Sequence, residues 1–136
     1  MDYRVKWSYI VRMNDSAIPK WILVVSGLIG VLGVFVGSSL YITPGTFIKD
    51  VDFGTSGTRY LAYMWGARQV TLGSILAFSA LRRSRPMLQL SLGAYALMNA
   101  QDAVIGVWRG DMGLIVGASL FALGPSFMVF LLARTK

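Results

Sequence analysis

A chain of 136 residues that is 55% hydrophobic and only 14% charged, with mean hydropathy +0.60, has more apolar surface than one water-soluble domain can hide, since such a domain buries about two-thirds of its surface. Cysteine, histidine and glutamate are absent, which excludes disulfides, thiolate chemistry, haem or zinc held by the usual donors, and a histidine base. The net charge of +7 would fit nucleic-acid binding only if the cations shared one soluble face, and their order along the chain argues against that.

Residues 1–17 come first. Tyr3, Val5, Trp7, Tyr9, Val11 and Met13 occupy odd positions, with Arg4, Lys6, Ser8, Arg12 and Asn14 between them and Ile10 breaking the pattern. Alternation is a strand signature, yet a lone strand leaves both edges unpaired. The expectation is therefore an arm on the cytoplasmic membrane surface or on a partner, with a surface helix as the alternative.

The remainder, 18–136, reads as one domain: an all-α, antiparallel four-helix bundle integral to a membrane. Four stretches, 18–43, 60–81, 86–108 and 112–133, match the roughly 20 helical residues that cross a hydrocarbon layer about 30 Å thick. Ser16 is positioned to cap the first, Pro19 is tolerated in its first turn, and Pro44-Gly45 ends it. Its apolar run is longer than a signal-peptide core, so an uncleaved anchor is expected. Arg82-Arg83-Ser84-Arg85-Pro86 and Arg109-Gly110-Asp111 form short turns, which force antiparallel neighbours.

These spans sort the charges. Arg4, Lys6, Arg12, Lys20, Arg82, Arg83, Arg85, Arg134 and Lys136 share one side with Asp2 and Asp15, giving the whole net +7, while Lys49, Arg59 and Arg109 balance Asp50, Asp52 and Asp111 on the other. By the positive-inside rule both termini are cytoplasmic in a cell or inner membrane, and the basic pI is a topology signal with no nucleic acid implied. Trp21 marks the inner boundary, and Tyr41, Tyr60, Tyr63, Trp65 and Trp108 gather toward the outer one. Gly33-x-x-x-Gly37 and Gly113-x-x-x-Gly117 are candidate helix contacts, within the bundle or between subunits of a homo-oligomer. Pro125 is expected to kink the last helix and leave a carbonyl near residue 121 without its amide.

Two ionisable residues fall within the spans. Arg68 lies eight positions after Tyr60, roughly 12 Å in, and Asp102 lies six positions before Trp108, roughly 9 Å in from the same side. Each alone would cost about 2.5–3.5 kcal/mol on insertion scales, so the two are expected to pair. Tyr95 and Asn99 share the face of Asp102 at helical spacing, while Gln69 and Gln101 lie about 100° off, within reach of another helix. This patch is either glue that fixes helix order or a site for a lipid or quinone headgroup, with Arg68 as a carbonyl or oxyanion clamp. No metal site is expected.

Four short-looped helices, Gly66-Ala67-Arg68-Gln69-x-x-x-Gly73 in the second and an Asp late in the third resemble the DoxX-like group of small membrane proteins over residues 18–133. The resemblance implies association with membrane redox systems, with Arg68 as the residue to carry over; without cysteine, no thiol chemistry is carried with it. The functional expectation is an accessory, non-catalytic subunit of a membrane complex that holds a lipid or quinone headgroup near Arg68 and Asp102. The alternative is a membrane enzyme, an isomerase, cyclase or quinone-linked oxidoreductase, acting on a lipophilic substrate.

Overall fold

The computed structural model describes residues 18–46 and 51–134. The described residues form four long helices and no strand: α1 (Lys20–Ile42), α2 (Ser56–Leu81), α3 (Arg85–Arg109) and α4 (Met112–Arg134), with a single 3₁₀ turn at Pro44–Thr46 after α1. Two of them, α1 and α4, are long and apolar enough to cross a membrane. The N-terminal arm expected over 1–17, and Ser16 as a cap, lie outside the described residues.

Local chemistry explains the ends. Pro19 precedes α1 with its ring-fixed φ of −53°, and Thr43 then Pro44 stop it because Pro44 has no amide to donate. α2 begins one turn before the expected position at Tyr60, because the Thr55 hydroxyl accepts from the Thr58 amide and caps a polar first turn that hydropathy reads as loop. The α2–α3 turn places Arg83 at φ 51°, a left-handed conformation unusual for a residue with a side chain, and Pro86 sits in the first turn of α3 where no amide is needed. Gly110 closes α3 at φ 66°, and the Asp111 carboxylate accepts from the Leu114 amide to open α4. α4 runs through Pro125, which is buried; the missing amide leaves the Phe121 carbonyl without its ordinary partner, while the Ser126 hydroxyl donates to the neighbouring Ala122 carbonyl.

α1 packs closely against α2 and α3 against α4, whereas α2 and α3 are in looser contact. The α1–α2 contact is built on glycine. Gly30, Gly33 and Gly37 of α1 lie against Gly73, Ala77, Gly66 and Val70 of α2 so closely that backbone meets backbone. The expected Gly33–Gly37 motif is thus an internal contact. Gly113 and Gly117 are different, since a side chain added at Gly117 would meet nothing and one at Gly113 would meet only Asp111 of its own turn.

One apolar core unites the helices toward the end that holds the α2–α3 turn: Ile22, Leu76, Leu88, Leu92, Tyr95, Met98, Met128 and Leu132. At that end the Arg85 guanidinium, at the start of α3, donates to the Leu132 carbonyl in the last turn of α4 and satisfies a helix-terminal acceptor. Arg82 and Arg134 fold over Phe78 and Phe130, with centroid distances of 5.5 and 4.2 Å. At the opposite end the rings of Tyr41 and Tyr63 stack at 5.5 Å, tying α1 to α2.

Candidate functional site

Trp65, Arg68, Leu72, Leu76 and Ser79 recur at three- and four-residue spacing and so share one side of α2. Leu72 and Leu76 join the common core on that side, and the next turn outward directs Arg68 across the seam to α3. Its terminal nitrogen Nη2 donates to Asp102 Oδ1 at 2.7 Å. The Asp102 side chain is only 7% exposed and the Arg68 side chain 37%, so the anion is enclosed while part of the arginine side chain reaches the surface. A charge-assisted bond of this length is among the stronger hydrogen bonds available to a protein.

Asp102 belongs to a buried line on α3 formed with Tyr95 and Asn99. The Asn99 amide nitrogen donates to the Tyr95 carbonyl of its own helix at 2.8 Å, so its donor is engaged within α3. The Tyr95 hydroxyl lies against Gly33 of α1 and its ring meets Phe121 of α4 edge-on with centroids 6.5 Å apart. Tyr95 is therefore a packing hub among three helices. Gln69 is buried on α2, as expected for a residue that meets a neighbouring helix. Gln101 is exposed on α3, so it stands apart from the buried line of Tyr95, Asn99 and Asp102.

One residue of the site was not among those expected from the sequence. Trp65 reads as a boundary aromatic, yet its indole Nε1 is buried and without a hydrogen-bond partner, and the Arg68 Nε one turn along is in the same condition. The signal available in the sequence was the three-residue spacing, which puts the indole beside the guanidinium.

Two concavities stand elsewhere. A cavity of about 340 Å³ at the α1–α2 connection is lined by Tyr41, Phe53, Arg59 and Tyr63 among others, and an apolar groove of about 460 Å³ between α3 and α4 is lined by Gly93, Ala96, Ala100, Ala122 and Ser126 among others. Neither is lined by Arg68, Asp102, Asn99 or Tyr95. Among the described residues no group of three or more acidic side chains could hold a metal ion. Comparison of the chain with protein-family models, curated proteins and solved structures returned no match.

Proposed function

We propose that the chain is a four-span integral membrane protein, both termini cytoplasmic, that serves as an accessory subunit of a membrane complex and holds the polar headgroup of a lipid or quinone beside Arg68 and Asp102. The observation that carries this reading is an inverted distribution of side chains. Val24, Leu28, Val31 and Phe35 of α1 and Val116, Leu120, Leu123 and Phe127 of α4 are exposed, while Ser26, Gly30, Gly33, Gly37, Gln69, Asn99 and Asp102 are buried between helices. Only 28% and 17% of the apolar windows of α1 and α4 are buried, which is the reverse of a core helix in a soluble protein. Acyl chains supply the missing cover, and small residues let helices approach where no hydrophobic drive exists between them.

α2 and α3, at 26 and 25 residues, are long enough to span at roughly 1.5 Å per residue, and Gln69, Ser79, Ser91, Asn99 and Asp102 are buried, whereas Thr71, Ser74 and Gln101 are exposed. Buried hydroxyls are consistent with lipid surroundings: Ser79 and Ser91 donate to carbonyls of their own helices, which leaves no polar hydrogen facing hydrocarbon. The accessory reading is favoured over the enzyme because the Asp102 carboxylate is engaged as the acceptor of an ion pair with Arg68 and so is not free to act as an acid or base.

The test is extraction in native-lipid nanodiscs after in-membrane crosslinking, with mass spectrometry of what is retained, alongside reporter fusions at both termini. The expected result is a stoichiometric protein partner or second copy, with cytoplasmic signal from both fusions. A lone chain that turns over a lipophilic substrate, or termini on opposite sides, overturns the proposal.

A further inference from the structure

On α2, two buried N–H donors have nothing to donate to: Trp65 Nε1 and Arg68 Nε. An unpaired buried donor costs about 1–3 kcal/mol, and folded proteins leave few of them. Here two occur within one helical turn, on the same side of α2, beside the Arg68–Asp102 ion pair. They call for an acceptor. The Asp102 carboxylate already neutralises the guanidinium, so the locus has no net charge with which to draw an anion out of water. Its setting is apolar, one turn from Leu72 and the common core. An acceptor that is cheap to desolvate and carries no charge is a carbonyl, and one that reaches this depth is attached to a hydrocarbon tail.

We propose that Trp65 and Arg68 form a two-donor station for the neutral carbonyl of a membrane-soluble amphiphile, admitted where α2 and α3 part. The Arg68 side chain is 37% exposed, so part of it already reaches the surface there. α2 and α3 are also in looser contact than the helices of either tight pair, which makes this the seam to open. The station rests on the membrane reading above and gives it a ligand class: an ester carbonyl of a lipid and a ring carbonyl of a quinone share the chemistry, and phosphate and carboxylate headgroups do not.

The experiment follows the indole N–H resonance of Trp65 in the ¹⁵N-labelled full chain, held in an alkyl-glycoside detergent that has no carbonyl. Trp65→Phe assigns the signal among the four tryptophans and keeps an aromatic ring in place. Four titrants are added separately: a decyl-substituted benzoquinone, a short-chain diester phosphatidylcholine, its diether analogue, and decyl phosphate. The station predicts a saturable downfield shift with the quinone, the diester lipid or both, and none with the diether. A response to the quinone alone identifies a quinone source, and a response to the diester alone identifies a lipid source. Trp65→Phe, followed through another resonance of the site, weakens binding by about 3- to 10-fold, the loss of one neutral hydrogen bond. Tighter binding of decyl phosphate than of either carbonyl compound overturns the proposal, as does an indole already in its hydrogen-bonded position in detergent alone or unmoved by every titrant. The titration uses the isolated chain, so failure to find a protein partner leaves it unaffected, and the reporter fusions test the spanning topology separately.

Discussion

Gly30 of α1 and Gly73 of α2 face each other so closely that a methyl group on Gly30 would stand 2.7 Å from the Gly73 carbonyl oxygen, and one on Gly73 would stand 2.6 Å from the Gly30 carbonyl oxygen. Both obstacles are backbone, so neither can rotate aside. Gly30→Ala or Gly73→Ala must push the two helices apart and forfeit contacts along the pair. Each is expected to cost about 1–3 kcal/mol, read as a lowered unfolding midpoint of the purified protein. Gly117→Ala is the control, because nothing lies within 4 Å of the added atom; it is expected to leave stability unchanged or raise it by up to about 1 kcal/mol.

The Arg68–Asp102 bond gives a cycle with a definite sign. Arg68→Ala leaves a carboxylate enclosed without its counter-ion, and Asp102→Ala leaves a guanidinium in the same position. Either change is expected to cost about 3 kcal/mol, the lower end of the range for a buried pair because the Arg68 side chain is 37% exposed. The double variant should recover most of the folded yield, since no lone charge remains. Size-exclusion profiles and thermal midpoints of the three variants check this, and additive losses would contradict it.

At the α3–α4 turn, Gly110 holds φ at 66°, where a side chain meets its own backbone. Gly110→Ala is expected to destabilise by about 1 kcal/mol and Gly110→Asn by less, because asparagine tolerates this conformation better. Differential scanning of the three proteins side by side orders them.

Topology should respond to the basic turn. Arg82 and Arg83 lie between α2 and α3, on the side we propose to be cytoplasmic, and neither is needed for the Arg85–Leu132 bond. Changing both to Asp, together with Lys20→Gln, is expected to yield a mixed population of orientations, seen as reporter signal from both sides of the membrane for one fusion. A wild-type distribution would show that the charge bias does not set the orientation.

The number and order of helices were legible because they depend on local signals: apolar runs of spanning length in α1 and α4, and Pro44, Pro86 and Gly110 as punctuation between helices. The start of α2 was less so, since the side chains of Ser56, Thr58 and Arg59 are polar and only the Thr55 cap reveals that the backbone is already helical. The partnership of Arg68 and Asp102 could be read from opposite charges at matching depth, a constraint that does not require knowing how either helix is rotated. Gln101 shows where that reasoning ends. A residue 100° away from a buried face is covered only where a neighbouring helix leans over it, and Gln101 is left outside. Trp65 was passed over because an indole near a helix end satisfies the pattern of a boundary aromatic, and that pattern is silent on whether its N–H finds a partner.

The two members of the ion pair sit 34 residues apart, on helices that belong to different tight pairs. During synthesis the α1–α2 hairpin is therefore complete while its cation still waits for the anion that will match it. In the four-span arrangement we propose, that interval makes the first half of the chain a poor resident of the bilayer by itself, and the emergence of α3 becomes the event that commits the protein to stay.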